Sequence, residues 1–266
     1  VKTQHPDWIV ALSGGSKQPI SRFDRNRRPW RYLTMNISLD IIIPTLNAGA
    51  WLGATLQEIT RDLATGDQIR IVDGGSDDDT ILIATNFREA GVPLDIMTCG
   101  KGRGRQLVAG AEQSTADWLL FWHADTLPGD NWRSAITCFQ TEVPAGKAGY
   151  FRFRLDDNSH PGARRIEHMV DRRCRWLGLP YGDQGLLIRR GDYQQAGGYR
   201  NIALMEDVDL VRRLGRSNLH PVDADAITSA LRYQRDGYWL RPLRNLGCLT
   251  MYYCGVSPDR IARLYR

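Results

Sequence analysis

Five consecutive bulky apolar residues, Trp118-Leu119-Leu120-Phe121-Trp122, constrain this chain more than any other stretch. A run of that length bounded by polar residues reads as a strand buried on both faces, as in parallel sheets covered by helices. It stops abruptly at His123-Ala124-Asp125-Thr126. In extended backbone, side chains at i and i+2 share one side, so His123 and Asp125 point the same way. Open α/β sheets bind ligands outside the carboxyl ends of their strands. A carboxylate and an imidazole there can hold a divalent cation, which in turn holds a diphosphate. The competing reading is an Asp-Thr-Leu-Pro turn that closes the strand, with His123 bonded locally.

The segments around this strand repeat one pattern. Leu39–Pro44 reads as a first strand, stopped by its proline. Leu52, Leu56, Ile59 and Leu63 then mark one face of a helix. Ile69–Val72 is a second strand with Asp73-Gly74-Gly75-Ser76 as its exit turn, and Ser76 with Asp79 resembles a capping box for the next helix. Leu94–Met97 gives a third strand, and Gly100–Gln106 opens another helix. Strand and helix alternating at short spacing imply βαβ units and a mostly parallel central sheet flanked by helices.

After Pro128 the pattern loosens. Tyr150–Leu155 alternates as a half-buried strand. Residues 162–177 read as an Arg-rich amphipathic helix on Ile166, Met169, Val170 and Leu177. A short strand covers Gly185–Ile188, a helix runs from about Asp207 to Arg216, and helical segments cover Leu240–Tyr253 and Ser257–Tyr265.

The chain of 266 residues carries a net charge of +5. Residues 1–34 account for all of it, with seven Lys/Arg against two Asp, leaving 28 basic and 28 acidic residues over 35–266. The body is neutral, which argues against nucleic acid as a partner. Segment 1–34 is expected to be a flexible extension or a mis-called start, the alternative being a basic arm that docks on anionic lipid or a partner. Residues 35–266 are expected to form one domain, with a nucleotide-binding half at about 38–127 and an acceptor and catalytic half at about 128–266. Five cysteines without a C-x-x-C pair indicate reduced thiols. No apolar run approaches the ~20 residues that span a bilayer, and the N-terminus has no signal-peptide segment. A cytoplasmic enzyme is expected, with peripheral contact at the inner face of the membrane as an option.

Polar residues gather at the strand ends. Pro44, Thr45 and Asn47 follow strand one, Asp73, Gly74 and Ser76 follow strand two, and His123 and Asp125 follow the Trp118–Trp122 strand. Sequential parallel strands bring these ends to one edge. A carboxylate just past an early strand suits a base N–H or a ribose hydroxyl, although any one of these residues also serves as a loop cap. Arg103, Arg105 and Gln106 open a helix, where two guanidinium groups at an N-terminus suit a diphosphate or simply face solvent. Leu204-Met205-Glu206-Asp207-Val208-Asp209 sets three carboxylates at a helix start beside apolar residues that can raise a carboxylate toward general-base duty. Gly182-Asp183-Gln184 is a polar turn, either structural or in contact with a sugar. Arg232 either reaches the diphosphate or lies on the surface.

Together, Ile41–Asn47, Val72–Thr80, Gly102–Gln106, His123-Ala124-Asp125 and Met205-Glu206-Asp207 resemble, in this order, the family 2 glycosyltransferases of the GT-A fold. The chain is similar in particular to a bacterial subfamily named "transferase 2, radical-SAM/selenodomain-associated", through His-Ala-Asp-Thr, Gly-Asp-Gln, Thr-Ser and the tail Gly255-Val256-Ser257-Pro258 to Leu264-Tyr265-Arg266. The likeness covers about Ser38 to Arg266. It implies a GT-A-type nucleotide-diphospho-sugar transferase fold and inverting transfer from a nucleotide-sugar donor, UDP- or GDP-linked. Thr45, Asn47 and Asp73 resemble nucleoside contacts. Asp125 matches the last carboxylate of the DXD element and so implies Mg²⁺ or Mn²⁺, with His123 a weaker ligand where most members carry the first Asp. Asp207 matches the catalytic base and Glu206 its positioning partner, while Arg103, Arg105 or Arg232 would add charge stabilisation.

Two other classes compete with this reading. A nucleotidyltransferase also uses an α/β sheet and Mg²⁺, but Pro44-Thr45-Leu46-Asn47 replaces its Gly-rich loop. A non-catalytic nucleotide-sugar-binding protein would not need Asp125 and Asp207. The acceptor is open and a lipid is one option, since 162–177 and 239–253 are basic and aromatic enough to lie against a membrane. Ordinary core helices with solvated arginines are the preferred reading of those two segments.

Overall fold

Alternation in the first strand, β1 (Leu39–Thr45), divides the interior in two. Leu39, Ile41 and Ile43 join one apolar cluster and Ile42 joins the other, as successive side chains of a strand must. The structure is a computed structural model that describes residues 37–265 apart from Asn158, so the expectation for 1–34 lies outside the described residues.

The chain continues as α1 (Gly49–Arg61), β2 (Asp67–Asp73), α2 (Thr80–Glu89), β3 (Leu94–Thr98), α3 (Arg103–Glu112) and β4 (Trp118–Phe121). It then forms β5 (Thr126–Pro128), α4 (Trp132–Glu142), β6 (Ala148–Leu155), α5 (Pro161–Leu177), β7 (Leu186–Arg189) and α6 (Arg190–Gln195). The last elements are α7 (Glu206–Leu214), β8 (Leu219–Thr228), α8 (Leu231–Asp236), α9 (Leu240–Tyr253) and α10 (Pro258–Tyr265). One eight-stranded sheet has the order β3-β2-β1-β4-β7-β6-β8-β5.

β3, β2, β1 and β4 are mutually parallel, as their apolar runs predict. β7 pairs antiparallel with both β4 and β6, β6 pairs parallel with β8, and β5 closes the edge antiparallel to β8. α1 covers one face through Leu52, Leu56 and Ile59, and α3 covers the other through Leu107 and Ala111. Each such Leu or Ile contributes roughly 1.5–3 kcal/mol when fully buried. Gly110 lets α3 lie close to the sheet, since a Cβ there would sit 2.5 Å from Ile42 Cγ2.

Three local expectations are corrected. The Ser76–Asp79 capping box does not form, because the Ser76 hydroxyl bonds Asp73. Asp78 does that work instead, accepting from Thr80 N–H, Thr80 O–H and Gly49 N–H. The buried stripe of α5 is Ala163, Ile166, Val170 and Cys174, while Met169 and Leu177 are exposed. Leu63 falls beyond the end of α1. The five thiols are free, and among the described residues no helix is long and apolar enough to cross a membrane.

Candidate active site

Strand direction assembles the site. β1 and β4 run side by side in parallel, so Thr45 and His123 leave the sheet at the same edge. β7 runs the opposite way, so the turn that leads into it, Gly182–Gln184, arrives where β4 departs. Gly182 is the point of contact. A Cβ on it would lie 2.8 Å from His123 Nε2 and 3.4 Å from Asp207 Oδ2. Its N–H donates to Asp207 Oδ2 at 2.8 Å.

Asp207 sits in the first turn of α7, which Met205 opens in the left-handed region at φ 68°. That conformation is uncommon for a residue with a side chain and needs its surroundings to hold it. Adjacent helical residues point about 100° apart, so the two acidic neighbours part company. Glu206 turns inward to 1% exposure and forms an ion pair with Arg103 Nε. Asp207 faces a cavity.

Arg103 also places Nη2 3.7 Å from Asp207 Oδ2 and Nη1 3.5 Å from His123 Nε2. Burial pushes the Glu206 carboxyl up and the Arg103 cation opposes it, while Glu206 and Asp207 together hold Arg103 firmly protonated. Burial, and then the Arg103 charge, bring the His123 imidazole down to about 4, so it is neutral at physiological pH.

Two cavities meet here. The larger, about 860 Å³, includes Pro44, Thr45, Asn47, Lys101, Arg103, Gln106, His123, Asp125 and Arg232 in its lining. Ligand pockets commonly span roughly 300–1,000 Å³. The smaller, about 140 Å³, is lined by Tyr181, Gly182, Asp183, Met205, Asp207 and residues of α9 among others. Arg103, His123, Asp125, Leu204 and Arg232 belong to both and form the shared wall.

Several predicted residues lie elsewhere. Asp73 is 1% exposed and lines neither cavity. It accepts from the Thr45 and Ser76 hydroxyls and from the Gly75 and Ser76 N–H groups. Those four contacts fill the roughly four acceptor sites of a carboxylate, and they hold its carboxyl below the ordinary range although burial pushes the other way. Asp73 therefore builds the loop, and Gly74 and Ser76 are parts of that same loop outside both linings. Arg105 is exposed and lies against Gly100, away from both cavities. Gln184 is buried and spends its amide on Arg173, Tyr181 N–H, Cys174 and the Phe151 carbonyl. Gln106 lines the large cavity, but its amide clamps the carbonyls of Thr45 at 2.6 Å and Val72 at 2.7 Å.

Asp183 has a buried Oδ1 without a hydrogen-bond partner, and burial lifts its carboxyl to about 6. Lys101, Tyr181, Arg241, Asn245 and Cys248 also line the cavities and were missed. For the last three the i, i+4, i+7 spacing was a readable signal of one helix face.

Among the described residues, no group of three or more His, Cys, Asp or Glu converges as a metal cluster. Asp125 Oδ1 lies 3.9 Å from His123 Nδ1, and Asp125 Oδ2 lies 3.1 Å from Arg232 Nη2. A carboxylate beside a neutral imidazole is a partial ligand set. It fits Mg²⁺ or Mn²⁺ completed by substrate phosphates, as Mg²⁺ usually is, rather than an all-protein cage.

The sequence pattern of glycosyl transferase family 2 matches residues 40–184. A "PGL/p-HBAD biosynthesis glycosyltransferase" of Mycobacterium tuberculosis is 40% identical over 87 residues, which is 32% of this chain and 34% of the relative. The chain thus aligns with about a third of that relative's length. The crystal structure of S. aureus TarS 1–349 in complex with UDP superposes with a TM-score of 0.57 at 14% identity, covering 73% of this chain and 61% of that one. Mannosyltransferase PcManGT from Pyrobaculum calidifontis, in complex with GDP-Man and Mn²⁺, gives 0.58 at 14%, covering 77% and 59%. These structural likenesses establish the GT-A-type fold. The matched segment runs from β1 through the Gly182–Gln184 turn and takes in more than half of the residues, so the chain belongs to glycosyl transferase family 2.

Proposed function

We propose that the protein is an inverting glycosyltransferase that moves a sugar from a nucleoside-diphosphate-sugar to an acceptor hydroxyl. One observation carries this reading: two cavities share a wall of Arg103, His123, Asp125 and Arg232, and Asp207 opens only to the smaller one. The donor occupies the larger cavity with its diphosphate against that wall. The acceptor enters the smaller cavity, so the base and the leaving group stand on opposite sides of the anomeric carbon.

The acceptor oxygen attacks that carbon as its bond to the diphosphate breaks, and Asp207 takes the hydroxyl proton. Positioned bases of this kind contribute roughly 10²–10⁴-fold in rate. Gly182 N–H and Arg103 orient Asp207, and Glu206 orients Arg103. Arg103 and Arg232 offset charge on the departing diphosphate. Asp125, with weaker help from His123, would hold a Mg²⁺ or Mn²⁺ ion that neutralises the same group. PcManGT with its GDP-Man and Mn²⁺ supports this assignment. The UDP bound to TarS leaves the donor base open between uracil and guanine. Likeness to the radical-SAM/selenodomain-associated subfamily, carried by the Gly182-Asp183-Gln184 and Gly255–Arg266 motifs, belongs to this reading. So do a cytoplasmic setting and the division into donor and acceptor halves.

Incubation with UDP- and GDP-sugars, with and without Mn²⁺, tests the reaction through released nucleoside diphosphate. Release of pyrophosphate, or donor binding without turnover for any acceptor, would overturn it.

A further inference from the structure

α9 turns a mixed face toward the interior and leaves an apolar stripe on its outer side. At 100° per residue, Arg241, Asn245, Cys248 and Leu249 share one side of the helix. The first three line the smaller cavity, and Cys248 and Leu249 are buried. Trp239, Leu240, Leu243 and Leu246 fall on the opposite side and are 69%, 68%, 65% and 57% exposed. Trp239 is held at the head of this stripe by Arg165 of α5, whose guanidinium lies 3.4 Å from the centre of the indole ring.

Charge is also segregated along the chain, toward the segments that carry and flank this helix. Residues 231–266 contain seven Arg and two Asp with no Lys or Glu, a net of +5. Residues 161–177 add a net of +3, so the rest of 35–266 carries −8. A stripe of Trp and Leu flanked by Arg matches a helix lying in a membrane interface, where apolar side chains enter the acyl boundary and cations meet anionic headgroups. A symmetric pairing of two copies through this face would set like charges against each other. Nucleic acid would leave the leucines unburied.

We infer that the outer face of α9 docks this protein on an anionic phospholipid surface, with the smaller cavity directly behind the docked helix. The helix then serves as a partition, with lipid on one side and the reacting hydroxyl on the other. That arrangement suits an acceptor carried by a lipid. The docking itself does not rest on the glycosyl-transfer reading. If that reading fails, nucleotide sugars are not turned over while vesicle binding persists.

The test is sedimentation of the full chain with phosphatidylcholine vesicles, with or without phosphatidylglycerol, in low and high salt. The expected result is binding that requires phosphatidylglycerol, weakens in high salt, and falls at least about tenfold in Leu243→Asp at unchanged melting temperature. Leu243→Ser serves where the Asp variant loses its fold, and it should weaken binding in the same direction. Three results would overturn the inference: equal binding to neutral vesicles, no binding to either kind, or variants that bind as well as the parent chain. A lipid-free dimer that Leu243→Asp splits would also overturn it, assigning the face to a second copy.

Discussion

The two cavities are built in different ways. The larger one leans on the carboxyl edge of the sheet: the segments that leave β1, β3 and β4 supply much of its wall, joined by residues 201–204, Arg232 and α10. The smaller one draws on the turn before β7, the start of α7, the end of β8, α8 and α9, which are spread over residues 181–248. A cavity of the first kind can thus be fixed largely by one sheet edge, whereas one of the second kind depends on distant elements meeting. On the proposed reading, the same sheet can keep one donor chemistry while the second wall is rebuilt for a different acceptor.

The sharpest way to break this division is at Asp207. Asp207→Asn should lower turnover roughly 10³-fold, within the range for loss of a general base, while a UDP- or GDP-induced rise in melting temperature stays unchanged. If nucleotide binding falls with turnover, the two cavities are not separate in function.

Next in size is the tie between α4 and β2. Arg133 of α4 makes two bonds to Asp67 of β2, at 2.6 and 2.9 Å, and the Asp67 side chain is fully buried. Arg133→Ala should cost roughly 3 kcal/mol in urea unfolding, because a buried carboxylate is left without its partner. Loss of a single cooperative transition would show that the segments joined by this ion pair fold apart.

Gln106→Leu should cost about 2 kcal/mol, since it strips the Thr45 and Val72 carbonyls of a shared donor. It should also weaken nucleotide binding more than it slows turnover at saturating donor.

The effect at Asp183 is confined to one side of a pH range. Its folded carboxyl titrates near 6 against an ordinary 3.8, because burial penalises the charge. The folded chain therefore keeps this proton at a pH where the unfolded chain has lost it. The associated stability is full below the ordinary value and is lost as pH rises through about 6. Asp183→Asn should stabilise by up to about 3 kcal/mol above that range and by little below it, as read from urea midpoints at the two ends. An equal gain at both ends would show that Asp183 is not held neutral by burial.

Much of the first half was legible because unbroken apolar runs such as Ile41–Ile43 and Trp118–Trp122 have few other ways to fold. β8 was not. Its stretch Leu219–Thr228 carries Pro221, Asp223 and Asp225, and its core positions Ala224 and Ala226 are small. α4 was missed although Trp132, Ala135, Ile136 and Phe139 hold a helical spacing.

In the site, short motifs identified the right neighbourhoods but could not assign each side chain. Gly182–Gln184 is a 3₁₀ turn, whose successive residues point about 120° apart. Asp183 can therefore face the cavity while Gln184 is buried. Arg103 and Arg105 are two steps apart on α3, about 200° around the helix, so only one of them can face the cleft. Sequence places such residues in a row, and helical phase then separates them.

The amide of Gln106 reaches two strands at once, and under the proposed function this has a consequence for how a nucleotide would come and go. The tails of β1 and β2 and the opening turn of α3 are fastened to each other, which braces that side of the larger cavity as one unit. Breathing that would admit or release a nucleotide should then fall on the facing rim at 201–204 and on α10, whose Asp259 and Ala262 complete the lining. The rate of product escape should accordingly follow how tightly α10 is seated, and should be little affected by the stiffness of the sheet.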